Sequence, residues 1–85
     1  MKLDIISRRG VIFTGQISEV VVPAYEGEMG ILPGHAPVLA VLLPGKVRYT
    51  TDSGQKNYAE ISNGFMTVDS DNIRILVESG HAIEE

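Results

Sequence analysis

The chain has no cysteine among its 85 residues. That removes disulfide staples, thiolate nucleophiles and cysteine metal ligands together, and is compatible with a reducing compartment. Basic residues are few: seven Lys and Arg stand against eleven Asp and Glu, for a net charge of −4. Arg8-Arg9 is the only adjacent basic pair, so no basic stripe marks nucleic acid as a main partner. Long apolar runs are missing as well. The longest, residues 38–43, has six residues, against the roughly 20 that span a bilayer as a helix. Asp4 stands where a signal peptide would begin its apolar core. The expectation is a soluble chain without direct membrane insertion.

Helical periodicity is also lacking, and what replaces it is alternation. Residues 2–5 alternate and run into a turn-like Ser7-Arg8-Arg9-Gly10. Residues 11–14 form a short β-branched and aromatic run closed by Gly15, and residues 16–22 form another, stopped by Pro23, which has no N–H for a ladder. The run 38–43 is apolar at every position and predicts a strand covered on both faces. Pro44-Gly45 marks a turn before the alternating residues 46–50. Thr51-Asp52-Ser53-Gly54 reads as a hairpin loop into residues 55–62, and Asn63-Gly64 as a tight turn whose residues tolerate positive φ. Residues 65–69 pair naturally with 73–77 across 70–72, and a last short strand falls near Ala82-Ile83. Eight to ten short strands with frequent turn signals predict one all-β domain over residues 1–85, a β-sandwich or flattened barrel.

Between strands lies GEMGILPGHAPVL, residues 27–39. It sets Gly30, Pro33, Gly34 and Pro37 around His35, more rigid and permissive residues than a connection requires. Pro33-Gly34 predicts a type II turn, proline fixing φ and glycine taking the positive-φ position. His35 then either bonds its own backbone or faces a partner. A metal-assisted hydrolase would need His35, Glu26 and Glu28 together, but that set falls short of a zinc site's three or four well-spaced ligands. No serine lies in a nucleophile elbow, and the glycines lead into no helix that could hold a phosphate. Tyr25 and an exposed Met29 beside two acids have the make-up of a preorganised contact surface. Recognition therefore outweighs catalysis, and neither metal nor cofactor is expected. A free-standing adaptor using residues 27–39 is the rival reading.

EGEMGILPGHAPVL, followed by Pro44-Gly45-Lys46-Val47-Arg48, resembles the hallmark segment of the ε subunit of bacterial and chloroplast F-type ATP synthase. Leu3-Asp4-Ile5-Ile6-Ser7 resembles that family's opening strand, and the stretches 62–68 and 73–82 its closing hairpin. The resemblance implies a flattened β-sandwich of two roughly five-stranded, mainly antiparallel sheets. It implies a non-catalytic subunit of the rotor's central stalk, seated on γ and on the polar loops of the membrane c-ring. Its acid-Gly-Glu-apolar-Gly loop faces the c-ring, which assigns Tyr25, Glu26, Gly27, Glu28, Met29, Gly30 and Ile31 to that contact. Ser7 and His35 fall on the γ side, and strand alternation extends that patch to Leu39 and Val41. The implied location is peripheral, at the cytoplasmic face of a bacterial inner membrane or the stromal face of a thylakoid. Typical members continue into two helices that can inhibit ATP hydrolysis. This sequence stops at Glu85, so no C-terminal helical domain and no such inhibition are expected.

Overall fold

The computed structural model describes residues 1–83, which form nine strands and no helix. In chain order they are β1 (Lys2–Ser7), β2 (Gly10–Ala24), β3 (Gly27–Ile31), β4 (Val38–Leu42), β5 (Gly45–Thr51), β6 (Lys56–Ile61), β7 (Gly64–Asp69), β8 (Asn72–Val77) and β9 (Gly80–Ile83). The long β2 belongs to two layers. Its second half joins the order β3-β2-β5-β6-β9, here sheet I. Its first half joins β2-β1-β8-β7-β4, here sheet II. Counting β2 twice gives the expected pair of five-stranded sheets. All pairings are antiparallel except β1 with β8.

Strand alternation explains the core. Leu3 and Ile5, Met66 and Val68, and Ile73, Ile75 and Val77 point inward from sheet II, while Val47, Tyr49, Ala59 and Ile61 do so from sheet I. No polar or charged residue is buried among the described residues. Each fully buried Leu, Ile or Val contributes about 1.5–3 kcal/mol relative to its exposed state, so the alternating apolar positions select this register. β2 serves both layers because its ladder with β5 shifts between Ile17 and Glu19. The bulge changes inward parity from Ile17 to Val20, Val22 and Ala24, all buried. Phe13 and Tyr49 seal the layers with ring centroids 4.4 Å apart. Burial pushes the Tyr49 phenol above the ordinary tyrosine range, opposed by a hydrogen bond with the Asn57 side chain.

Four sequence expectations change. β2 is continuous where two strands were expected. Gly15 does not break it, since its position leaves room for the Phe13 ring, 3.0 Å from where a Cβ would stand. Pro23 is tolerated because the β5 ladder ends at the Val21–Arg48 pair, so no neighbour requires its N–H. Second, residues 27–31 form β3, a hairpin partner of β2, with Gly27 at φ +125° after the Tyr25-Glu26 turn. Third, Asn63-Gly64 closes no hairpin. β6 pairs with β5 and β9, and β7 with β4 and β8, so the chain crosses between sheets there, and neither residue has positive φ. Fourth, β4 is covered on one face only: Leu39 is 70% exposed and Val41 60%.

Candidate functional site

The uncovered face of β4 belongs to a longer feature. Ladder registers align Val41 with Phe65, Phe65 with Leu76, Leu76 with Ile6 and Ile6 with Val11. Partners in adjacent strands point to the same side, so these five apolar side chains form one row across the outer face of sheet II. At the usual strand spacing the row is about 19 Å long. Val41, Phe65 and Val11 are exposed, Ile6 and Leu76 half-buried. Leu39 adds to the row beside Val41, while its own register neighbours are Thr67, Arg74 and Asp4.

The opposite outer face, on sheet I, is charged and balanced within itself. Glu28 pairs with Arg48 at 3.6 Å, Lys46 stands over the Tyr58 ring at 5.2 Å, and Thr50 Oγ1 donates to Glu19 at 3.3 Å. Such exposed pairs contribute at most about 1 kcal/mol. They do make that face comfortable in water, whereas the apolar row is not.

The loop residues separate by burial. Tyr25 is 72% exposed, and Glu26, Gly27, Glu28 and Gly30 are exposed with it. Met29 is not the exposed apolar residue expected, since it pairs with inward-facing Val22 and packs against the core. Ile31 is fully buried, so its side chain offers no contact surface. Pro33-Gly34 forms the expected type II turn: Gly34 has φ +85° and His35 N–H donates to the Leu32 carbonyl at 3.1 Å. The exposed His35 ring bonds its neighbour, Nδ1 lying 2.7 Å from the Ala36 carbonyl. Ser7 Oγ is engaged in its own turn, donating to the Gly10 carbonyl and accepting from Arg9 N–H, both at 3.2 Å.

Ser7 and His35 are not brought together. Ser7 lies one residue past the Ile6–Val41 row, while His35 precedes Val38 by three residues, beyond the other end of the strands. Tyr25, Glu26 and Met29, by contrast, share a groove of about 450 Å³ with Leu39 and Val41. Among the described residues no group of three His, Asp or Glu could hold a metal ion. Sequence reasoning missed Phe65, Leu76, Ile6 and Val11. Their signal was present as apolar residues at outward parity, but only the register shows them as one row.

An uncovered apolar row of this length is a surface that a partner can cover. The model of the ATP synthase delta/epsilon chain, beta-sandwich domain, matches residues 1–83, and the chain belongs to that family. Among solved structures it is similar to a chain of the Euglena gracilis mitochondrial ATP synthase, in an OSCP/F1/c-ring structure, with a TM-score of 0.86 and 26% identity. The match covers 98% of this chain and 53% of that one. A chain of the Tetrahymena thermophila mitochondrial ATP synthase, in a central stalk/c-ring structure, shares the fold with a TM-score of 0.78 and 22% identity, over 94% of this chain and 64% of that one. The chain therefore spans between half and two thirds of the length of these two similar chains.

Proposed function

We propose that the chain is a non-catalytic subunit of the central stalk of an F-type ATP synthase rotor, seated on γ through the outer face of sheet II. The observation that carries this reading is the exposed row of Val41, Phe65, Leu76, Ile6 and Val11. A row of that length, left in water on a sandwich whose other face is charged, calls for a covering partner. Leu39 extends the contact along β4, and Ser7 and His35 flank its two ends. The start of β3 meets the polar loops of the c-ring, with Gly27, Glu28 and Gly30 exposed there, and the exposed Tyr25-Glu26 turn stands between that contact and γ.

The mechanism is mechanical. Ion flow turns the c-ring, and the domain clamps the ring to γ so that torque reaches the catalytic head. A clamp must not yield under load, which suits a closed apolar core and a loop fixed by Pro33 and Pro37. The domain is peripheral, on the side of the membrane that carries the catalytic head: the cytoplasmic face in a bacterium, the stromal face in a plastid. No helix of the described residues is long and apolar enough to cross a membrane.

Acidic residues facing basic loops accelerate encounter and fix register. Glu28→Lys is expected to slow association with the isolated c-ring about tenfold at low salt, with the difference shrinking as salt rises. The substitution also removes the Glu28–Arg48 pair, whose exposure keeps the cost to folding below about 1 kcal/mol. Stopped-flow association rates at several ionic strengths check this. A rate unchanged at low salt removes Glu28 from the interface.

A further inference from the structure

β4 has one paired edge and one that is nearly free. Tyr25 N–H donates to the Val41 carbonyl and Leu43 N–H to the Pro23 carbonyl, each at 2.8 Å. The main-chain groups of the odd-numbered β4 residues therefore point away from β7, toward β2. The β2–β4 pairing is confined to Ala24 and Leu42. Past it the chain turns away at Tyr25-Glu26, and β4 runs on alone. Among the described residues, the N–H and carbonyl of Leu39 and the N–H of Val41 meet no strand there. Leu39 and Val41 also line the groove of about 450 Å³, together with Ala24, Tyr25 and Met29.

We infer that this groove receives an extended segment of γ, which adds a strand to the free edge of β4 at Leu39 and Val41. The segment lays an apolar side chain between Tyr25 and Met29. The inference rests on the γ-docking reading above and adds a main-chain contact to it. An open apolar edge is a site for adding a strand, and Leu39 is the most exposed large apolar residue of β4. Two observations favour γ as the occupant. Val41 belongs both to this groove and to the apolar row, so a partner covering the row reaches the groove without a break. Glu26 lines the groove and has no ion pair among the described residues, whereas nearby Glu28 has Arg48. The segment accordingly carries a Lys or Arg where it passes Glu26.

The test is residue-resolved amide hydrogen exchange on the isotopically labelled full chain, alone and with purified γ. Alone, the Leu39 and Val41 amides exchange as open edge groups. With γ bound, both slow by about a hundredfold or more, as ladder amides do, and Glu26→Lys weakens γ about tenfold at low salt. If γ binds but these two amides exchange as in the free chain, the added strand is overturned and the γ-docking reading stands. If γ binds and protects them but Glu26→Lys has no effect at low salt, the basic residue is removed from the proposal and the added strand is supported. If γ does not bind, the docking reading fails and the groove loses this occupant. Protection that appears without γ and grows with chain concentration assigns the edge to a second copy and overturns the inference.

Discussion

Joint replacement of Val41 and Phe65 by Asp leaves the domain folded and weakens its association with γ by about a hundredfold or more. The two residues are register partners at the β4 end of the exposed row, where it meets the groove, one on β4 and one on β7. Val41 is 60% exposed and Phe65 45%, so neither holds the core closed. In the free domain both carboxylates stay in water, and their cross-strand repulsion and the poor strand preference of Asp lower stability without opening the core. In the complex they must be desolvated against apolar surface with no partner. Interface hot spots commonly carry about 2 kcal/mol or more each, and every 1.4 kcal/mol is about tenfold in affinity. Circular dichroism and equilibrium binding to purified γ check the two halves. Unchanged affinity moves γ to another surface. Loss of the fold shows instead that the row is structural.

The second large effect is on folding. Gly64→Ala is expected to destabilise the domain by about 3 kcal/mol, the upper part of the range for overpacking. In a domain of this size each kcal/mol lowers Tm by about 4–8 °C, so the fall should be about 12–24 °C. Gly64 opens β7 where the chain crosses between sheets, and it pairs with both Leu42 and Val77. A Cβ there would lie 2.8 Å from Val77 Cγ1 and 2.9 Å from Val77 Cα, and would overlap the Leu76 carbonyl oxygen. These are atoms of a central, hydrogen-bonded strand, so they cannot move aside cheaply. Gly30→Ala is the control, because its Cβ would meet only Val21 Cγ2 at 3.9 Å. Thermal melts of both variants decide it. A Gly64→Ala melt within a few degrees of the parent would show that the crossover has slack.

The sequence already made most of the strands legible, because a core with no buried polar residue leaves its period-two signature undisturbed. The Pro33-Gly34 turn was legible for a local reason, each residue dictating its own φ. The failures lie where tertiary context decides. Gly15 and Pro23 read as breaks, yet one faces an aromatic ring and the other a ladder that has already ended. Asn63-Gly64 has the composition of a hairpin turn, but Gly64 is required for room beside Leu76 and Val77 and not for positive φ. In GEMGI the alternation of Met29 and Ile31 against Glu28 and Gly30 was visible, and the surrounding glycines and prolines masked it as loop.

The candidate surface was half legible, for a related reason. Six consecutive apolar residues predict burial on both faces, but a sequence does not say whether the cover comes from the same chain or from a partner. Alternation gave Leu39 and Val41 as outward. It could not place Ile6, Val11, Phe65 and Leu76 beside them, because that needs the register of five strands drawn from both ends of the chain.

The central claim is that the outer face of sheet II is the docking face for γ. Its most direct test is chemical-shift mapping of the labelled full chain during titration with purified γ. The account predicts changes clustered on Ile6, Val11, Leu39, Val41, Phe65 and Leu76, with Lys46, Arg48 and Glu60 on the opposite face unmoved. Changes centred on Lys46, Arg48 and Glu60, with the apolar row silent, would contradict it.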